Sequence, residues 1–286
     1  MRLIVQSIDK KKKIFYCILN QRREAFYLSN KLAKVFLPIL EPYVLVDFEV
    51  GEKKIKKQGK TTTFVYPVTY FNYIEKLNPK IVLYDLNTLR KDMKRVLDQY
   101  EYFLFLDCEM TMPGYKKGKF IPEIIQVGYI LADKYKNVIL DEGYYIKPLD
   151  EESINKRTVK FLNLDVEKFN NEAKDYHVFY EELSSIINKY QPKIVVWGKN
   201  DVQAINYSYH LHEKEPLTYA HHFIDLLKLH KDYFNLSNDI KLFDAYKTYY
   251  GVTEQLNQEH NARTDAIVTK DVFDAFLIHM SESVEK

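Results

Sequence analysis

From Met1 to about Asn78 the hydrophobic residues fall in short runs cut by charged and turn-forming residues, a strand-like pattern. Arg2-Leu3-Ile4-Val5-Gln6 begins a strand, Lys10 to Lys13 makes a basic turn, and Ile14 to Leu19 continues as a second strand. Glu24 to Leu28 is a third candidate. Tyr43 to Val50 and Thr61 to Phe71 are rich in β-branched and aromatic residues and predict two more. Between them, Gly51 to Lys60 is charged and bracketed by glycines, which predicts a hairpin loop. About five strands in about 75 residues predict a small, mostly-β domain, a barrel or a meander, for which an OB-like barrel is one candidate.

The pattern changes after this domain. Residues 79–101 place apolar positions at helical spacing, most clearly from Asn87 to Leu97, and predict a helical linker. From 102 to 286, strand-like and helix-like segments alternate. Candidate strands are 102–108, 122–132, 137–147, 193–197 and 221–225. Candidate helices lie near 175–190, 201–213, 239–249 and 261–280. Three early strands followed by alternating helices and strands predict an α/β layer architecture.

Composition narrows the class. With 46% hydrophobic and 29% charged residues, the chain has the make-up of a soluble globular protein. No apolar run approaches the roughly 18 residues a membrane span needs. The first residues lack an apolar region ending in a small-residue cleavage site, which argues against export. Cys17 and Cys108 lie far apart, which argues against a disulfide framework or a cysteine zinc site and fits a reducing cytoplasm. The net charge of +2 is unevenly spread. Residues 1–90 carry 17 Lys+Arg against 8 Asp+Glu, a balance of +9, whereas 91–286 carry 25 against 32, a balance of −7. A basic N-terminal part suits a polyanion such as nucleic acid, or is simply a solvated surface. Tyr66, Tyr70, Phe71 and Tyr73 are its candidate stacking residues, unless they are core.

The candidate chemistry lies in the second part. Phe103-Leu104-Phe105-Leu106 runs into Asp107-Cys108-Glu109. On a strand, side chains two apart share a face, so both carboxylates point to one place. Anions held that close repel unless a cation lies between them. Oxygen ligands of this kind suit hard divalent ions. Ile194-Val195-Val196-Trp197-Gly198 reads as a buried strand and a break, after which Asp201 opens a helix, where it is a cap or a site residue. Near the C-terminus, Asp265 falls beside the buried stripe of a helix, and an isolated charge there is costly. His260 precedes it by about one turn.

With these residues in place, the chain resembles the DEDDh 3′→5′ exonucleases of the RNase H-like fold. That family carries Asp-x-Glu, a middle Asp and a final His-x4-Asp. They are matched here by Asp107-Cys108-Glu109, Asp201, and His260-Asn261-Ala262-Arg263-Thr264-Asp265. The resemblance covers about 102–280 and is not traceable into 1–90. Met112-Pro113 and the segment Phe120 to Gly128 most resemble the Eri-type branch, which includes the KinA-inhibitor-like proteins. Glu109-Met110-Thr111 is also similar to oligoribonuclease.

The resemblance implies an RNase H-like exonuclease domain over 102–286, with a mixed central sheet and flanking helices, preceded by the small β domain of 1–78. It implies two divalent ions, Mg²⁺ or Mn²⁺, held by Asp107, Glu109, Asp201 and Asp265, which clamp the attacking and leaving oxygens of an in-line displacement. His260 would be the general base, a task suited to an imidazole near neutral pH. Products would be nucleoside 5′-monophosphates released from a free 3′ end of single-stranded nucleic acid, RNA before DNA. Met110 and Thr111 follow the strand at the place where the terminal nucleotide sits in that family. Lys116, Lys117 and Lys119 would hold backbone phosphates, or belong to a solvated loop. The alternative is a nucleic-acid-binding or regulatory protein built on an exonuclease-like scaffold.

Overall fold

The computed structural model describes residues 1–58, 61–114, 120–252 and 260–285. The chain forms two compact units, Met1–Met93 and Lys94–Lys286.

In the first unit, β1 (Arg2–Asp9), β2 (Ile14–Leu19) and β3 (Arg22–Tyr27) form an antiparallel meander. Helix α1 (Asn30–Phe36) follows, then β4 (Val44–Val50), β5 (Lys54–Gln58), the long β6 (Thr61–Leu77) and β7 (Lys80–Asp85). Strand β1 pairs with β4, and β4 with β6. A short parallel pairing of β3 with β6, Phe26 opposite Tyr66, closes five strands into a barrel. Alternation along each strand sends Val5, Phe15, Cys17, Phe26, Phe48 and Phe71 inward, where they are fully buried. Helix α1 covers this core with Ala33 and Phe36, and the Ser29 hydroxyl accepts from Leu32 N to cap it.

Two segments differ from the sequence reading. The charged stretch after Gly51 is not all loop: Lys54–Gln58 pairs with β6 from Lys54 opposite Val65 to Gln58 opposite Thr61. The Thr- and Val-rich partner strand supplies the ladder, and the lysine stems tolerate an exposed strand. Residues 79–101 are not a helical linker throughout, because Ile81-Val82-Leu83-Tyr84 lies in β7 and pairs with β6. The helix α2 (Leu86–Leu97) starts only after Asp85, whose carboxylate accepts from Asn87 N and Thr88 Oγ1. Helix α2 runs across the division between the units. Of the candidate stacking residues, Phe71 belongs to the barrel core and Tyr66 stacks on Phe26.

In the second unit, β8 (Tyr102–Met110), β9 (Ile124–Asp133) and β10 (Val138–Tyr145) are antiparallel neighbours. Strands β11 (Lys193–Val196) and β12 (Phe223–Asp225) add in parallel on the other side of β8. The sheet order is β10-β9-β8-β11-β12. The helices are α3 (Lys156–Leu162), α4 (Val166–Glu172), α5 (Tyr176–Tyr190), α6 (Asn200–Leu211), α7 (Leu226–Phe234), α8 (Leu242–Tyr250) and α9 (Ala262–Glu285). This is the mixed sheet with flanking helices that the resemblance implies. The short helices α3, α4 and α7 had no sequence expectation.

Central β8 is covered on both faces, which is why its sequence is a continuous apolar run. Leu104, Leu106 and Cys108 pack with Phe179 and Leu183 of α5 and Ala204 and Ile205 of α6. Phe103 and Phe105 face the other way and meet Phe273 of α9, with ring centroids 4.9 and 5.4 Å apart. Asp107 and Glu109 share that second face by alternation.

Two glycines set how closely α9 lies on the sheet. Asp107, Gly128 and Gly143 are register partners across β8, β9 and β10. A Cβ on Gly128 would lie 2.1 Å from Arg263 N, and one on Gly143 2.6 Å from Arg263 Cβ. Only bare backbone leaves room for the first turn of the helix. Replacing Gly128 by Ala should therefore cost about 1–3 kcal/mol or more, whereas Gly114→Ala should stay within about 0.5 kcal/mol. Urea denaturation of the two variants checks this.

Candidate active site

Four acidic residues from three elements meet at one end of β8. Asp107 and Glu109 come from β8, Asp201 from the first turn of α6, and Asp265 from the first turn of α9. With His260 and Met110 they line one open cavity of about 400 Å³. Oxygens of Asp107, Glu109 and Asp265 lie within 4.8 Å of one another. Glu109, Asp201 and Asp265 are buried, and Asp107 is partly exposed.

Each side chain is placed by local structure. Gly198, at φ +93°, turns the chain out of β11, a backbone angle that favours glycine. Trp197 fixes the turn by donating from Nε1 to Ile240 O at 3.3 Å. Asp201 then accepts from Cys108 N at 3.1 Å, joining α6 to the middle of the Asp-x-Glu strand. At the other helix, Asn261 Oδ1 accepts from Thr264 N, and Gln126 Oε1 of β9 accepts from Ala262 N at 3.2 Å. Arg263 makes two bonds to Asp141 of β10, at 2.7 and 2.8 Å. Helix α9 is thus tied to β9 and to the edge strand β10, and Asp265 follows within its first turn.

His260 stands at the rim with positive φ, 46°, just before α9. Its Nδ1 is 3.7 Å from Glu109 Oε1, and its ring lies 4.4 Å from that of Phe161 of α3, at an interplanar angle of 30°. Phe161 is 46% exposed and also lines the cavity.

Burial, and then the charges of Asp201, Glu109 and Asp265, hold the Asp107 carboxyl well above the usual carboxylate range. Glu109 is pushed up to about 8 by burial and then by Asp265 and Asp201. Asp201 is pushed up to about 7 by burial, against the lowering effect of the hydrogen bonds from Cys108 N and its own backbone. Carboxyls in this state hold protons for lack of a countercharge. An all-oxygen set of this spacing fits a hard divalent cation, which would displace those protons.

The remaining candidates separate. Met110 lines the cavity. Thr111 does not: it is 2% exposed and its Oγ1 accepts from Glu123 N, so the hydroxyl knits two strand ends together rather than facing a nucleotide. Lys116, Lys117 and Lys119 lie outside the described residues. A larger cavity of about 810 Å³, between α4 and α5, is lined by Lys147, Phe169, Tyr176 and His212. Among the described residues, the one group of three acids, histidines or cysteines close enough to share a metal is at the smaller cavity. Chemistry rather than volume selects the site. Gln126, Gly128, Gly143, Asp141 and Phe161 were not foreseen as parts of it.

The raised carboxyls give a stability signature with a definite sign. The native state keeps protons on Glu109 and Asp201 that the unfolded chain releases above about pH 4.5, so metal-free stability falls as pH rises from there to about 8. Thermal denaturation in a chelator should show a Tm lower by about 5 °C at pH 8 than at pH 5, and Mn²⁺ should restore it at pH 8. Asp107→Asn should shrink both effects. A Tm indifferent to pH and metal would contradict the electrostatics described.

The geometry has counterparts in known proteins. The Exonuclease family profile matches residues 104–273. The nuclease domain of 3′hExo, a DEDDh family member solved bound to rAMP, superposes with a TM-score of 0.50 at 14% identity, covering 61% of this chain and 91% of that one. A full-length 3′-exonuclease gives 0.51 at 14%, covering 63% and 82%. A zinc-bound complex of E. coli exonuclease I with single-stranded DNA gives 0.50 at 18%, covering 65% and 42%. No curated protein is significantly similar in sequence. The matched segment contains all five residues of the cavity's acidic and imidazole set, and the chain belongs to the Exonuclease family with the fold of its DEDDh members.

Proposed function

We propose that this protein is a metal-dependent 3′→5′ exonuclease that releases nucleoside 5′-monophosphates from single-stranded nucleic acid, with RNA preferred to DNA. The observation that carries the reading is the convergence of Asp107, Glu109 and Asp265 within 4.8 Å, with Asp201 and His260 on the same cavity. A place nearest the Eri-type branch rests on Met112-Pro113 and the segment ending at Gly128. Two buried, unpaired cysteines support a reducing, cytoplasmic setting.

Asp107, Glu109, Asp201 and Asp265 would hold two Mg²⁺ or Mn²⁺ ions. When bound, the ions supply the positive charge that lets a phosphodiester enter an acidic pocket and the electrophilic assistance its hydrolysis needs. His260 takes the proton of the attacking water as the general base. Phe161 packs against the imidazole at a ring angle of 30°, which restricts its swing, and Glu109 Oε1 lies 3.7 Å from Nδ1. Met110 at the cavity wall supplies apolar surface for the terminal nucleotide. The basic barrel unit adds hold on longer strands.

Two labelled substrates test the reading. A 5′-labelled single strand should shorten as a ladder, while a 3′-labelled one should yield only labelled mononucleotide, with Mn²⁺ or Mg²⁺ and not with chelator. Asp107→Ala should abolish release, and His260→Ala should lower kcat by about 10²–10⁴-fold. RNA should be degraded faster than DNA of the same sequence. Internal fragments, or release from the 5′ end, would overturn the proposal. Nucleic-acid binding without hydrolysis under either metal would instead favour the scaffold reading.

A further inference from the structure

The barrel wall made by β2 and β3 has an outer face with its own small core. Phe15, Cys17 and Phe26 point into the barrel, so Tyr16, Arg23 and Tyr27 lie on the outside. There, both tyrosines pack against Ile14, Ala25 and Val65, three buried residues separate from the main core. The rings are therefore half-buried and held in place. Each also has a cation over it. The Arg23 guanidinium is 4.3 Å from the Tyr16 centroid, and Lys56 Nζ reaches from β5 to 3.2 Å from the Tyr27 centroid.

The charges on this face are not neutralised. Among the described residues, neither Arg23 nor Lys56 is paired with a carboxylate; Arg23 also donates to the Ser7 hydroxyl. Nearby acids are already engaged: Glu24 pairs with Lys53 at 2.7 Å, and Asp9 accepts from Lys12 N. Lys54, two residues before Lys56 on the same face of β5, extends the positive charge, and exposed Ile18 adds apolar surface. A cation over an aromatic face contributes about 0.5–1 kcal/mol at an exposed site. A nucleobase stacked on such a ring contributes about 1–3 kcal/mol. A base can take the cation's place, and the freed cation can then meet the flanking phosphate.

We propose that Tyr16, Arg23, Tyr27 and Lys56 form a platform for single-stranded nucleic acid, with bases on the rings and phosphates on the cations. The occupant is a single strand because the face offers flat rings and fixed positive charge together. A duplex hides its base faces, and the carboxylates of an acidic protein would engage the cations but not the flat ring faces beneath them. The proposal rests on the exonuclease reading only for supplying a single strand as the natural ligand.

The test uses the full chain carrying Asp107→Ala, with fluorescence anisotropy of labelled strands of about 20 nucleotides. Arg23→Glu and Lys56→Glu should each weaken binding about tenfold or more and lower the salt slope by about 1. Tyr16→Leu and Tyr27→Leu keep the apolar packing, and should weaken binding about fivefold or more with the slope unchanged. Affinity unchanged in all four variants would overturn the platform. So would competition by polyglutamate as strong as that by unlabelled single strand, which would point to an acidic protein partner. Hydrolysis of a trinucleotide by the unmodified chain is scored separately. Its failure would sink the exonuclease reading, whereas normal hydrolysis with unaltered binding by the variants would sink the platform alone.

Discussion

Carboxylates do not gather without cause. Three of them with oxygens inside 4.8 Å, two fixed on a strand and one on a helix, repel one another, and Glu109 and Asp265 have lost water to burial. The sheet imposes this arrangement: β8 is packed on both faces, so Asp107 and Glu109 cannot swing away without dismantling the apolar run that carries them. The fold thus stores an unfavourable charge distribution that protons relieve partly and divalent cations relieve better. Much of the second unit's architecture is understandable as the means of holding that distribution together.

The bracing comes from two sides. On one side, Asp201 takes a hydrogen bond from the backbone between the two strand carboxylates, so α6 is fixed to the same segment whose carboxyls its charge pushes toward the protonated form. On the other, α9 sits in a notch cut by Gly128 and Gly143, register partners on neighbouring strands. The Arg263–Asp141 pair and the Gln126 side chain then fix that helix along the notch. Distance is the governing quantity throughout. A methyl group at either glycine would collide with the helix that carries Asp265.

The chain announces its chemical residues better than their supports. Asp107, Glu109, Asp201, His260 and Asp265 each lie in a local string with its own signature, so short-range reading finds them. Arg263 and Asp141 are 122 positions apart and meet only once the sheet is assembled. Gly128 and Gly143 look like ordinary strand glycines until a helix is laid across both. Phe161 sits in a seven-residue helix too short for periodicity to reveal. The strand Lys80–Asp85 and the helix beginning at Leu86 share one apolar run, and pairing with β6 decides where one ends and the other begins. Thr111 follows the motif in sequence, yet its backbone N–H and its hydroxyl are both engaged by the Glu123 backbone.

One residue inside the Asp-x-Glu motif faces away from it. Cys108 projects to the opposite side of β8, 3% exposed among apolar neighbours, with burial and the adjacent carboxylates holding its thiol well above the ordinary range. Thiolates, not thiols, react with peroxides and electrophiles. The thiol embedded in the motif is therefore chemically quiet, which leaves Met110 and Met112, on the cavity wall, as the sulfur-bearing side chains an oxidant would meet there.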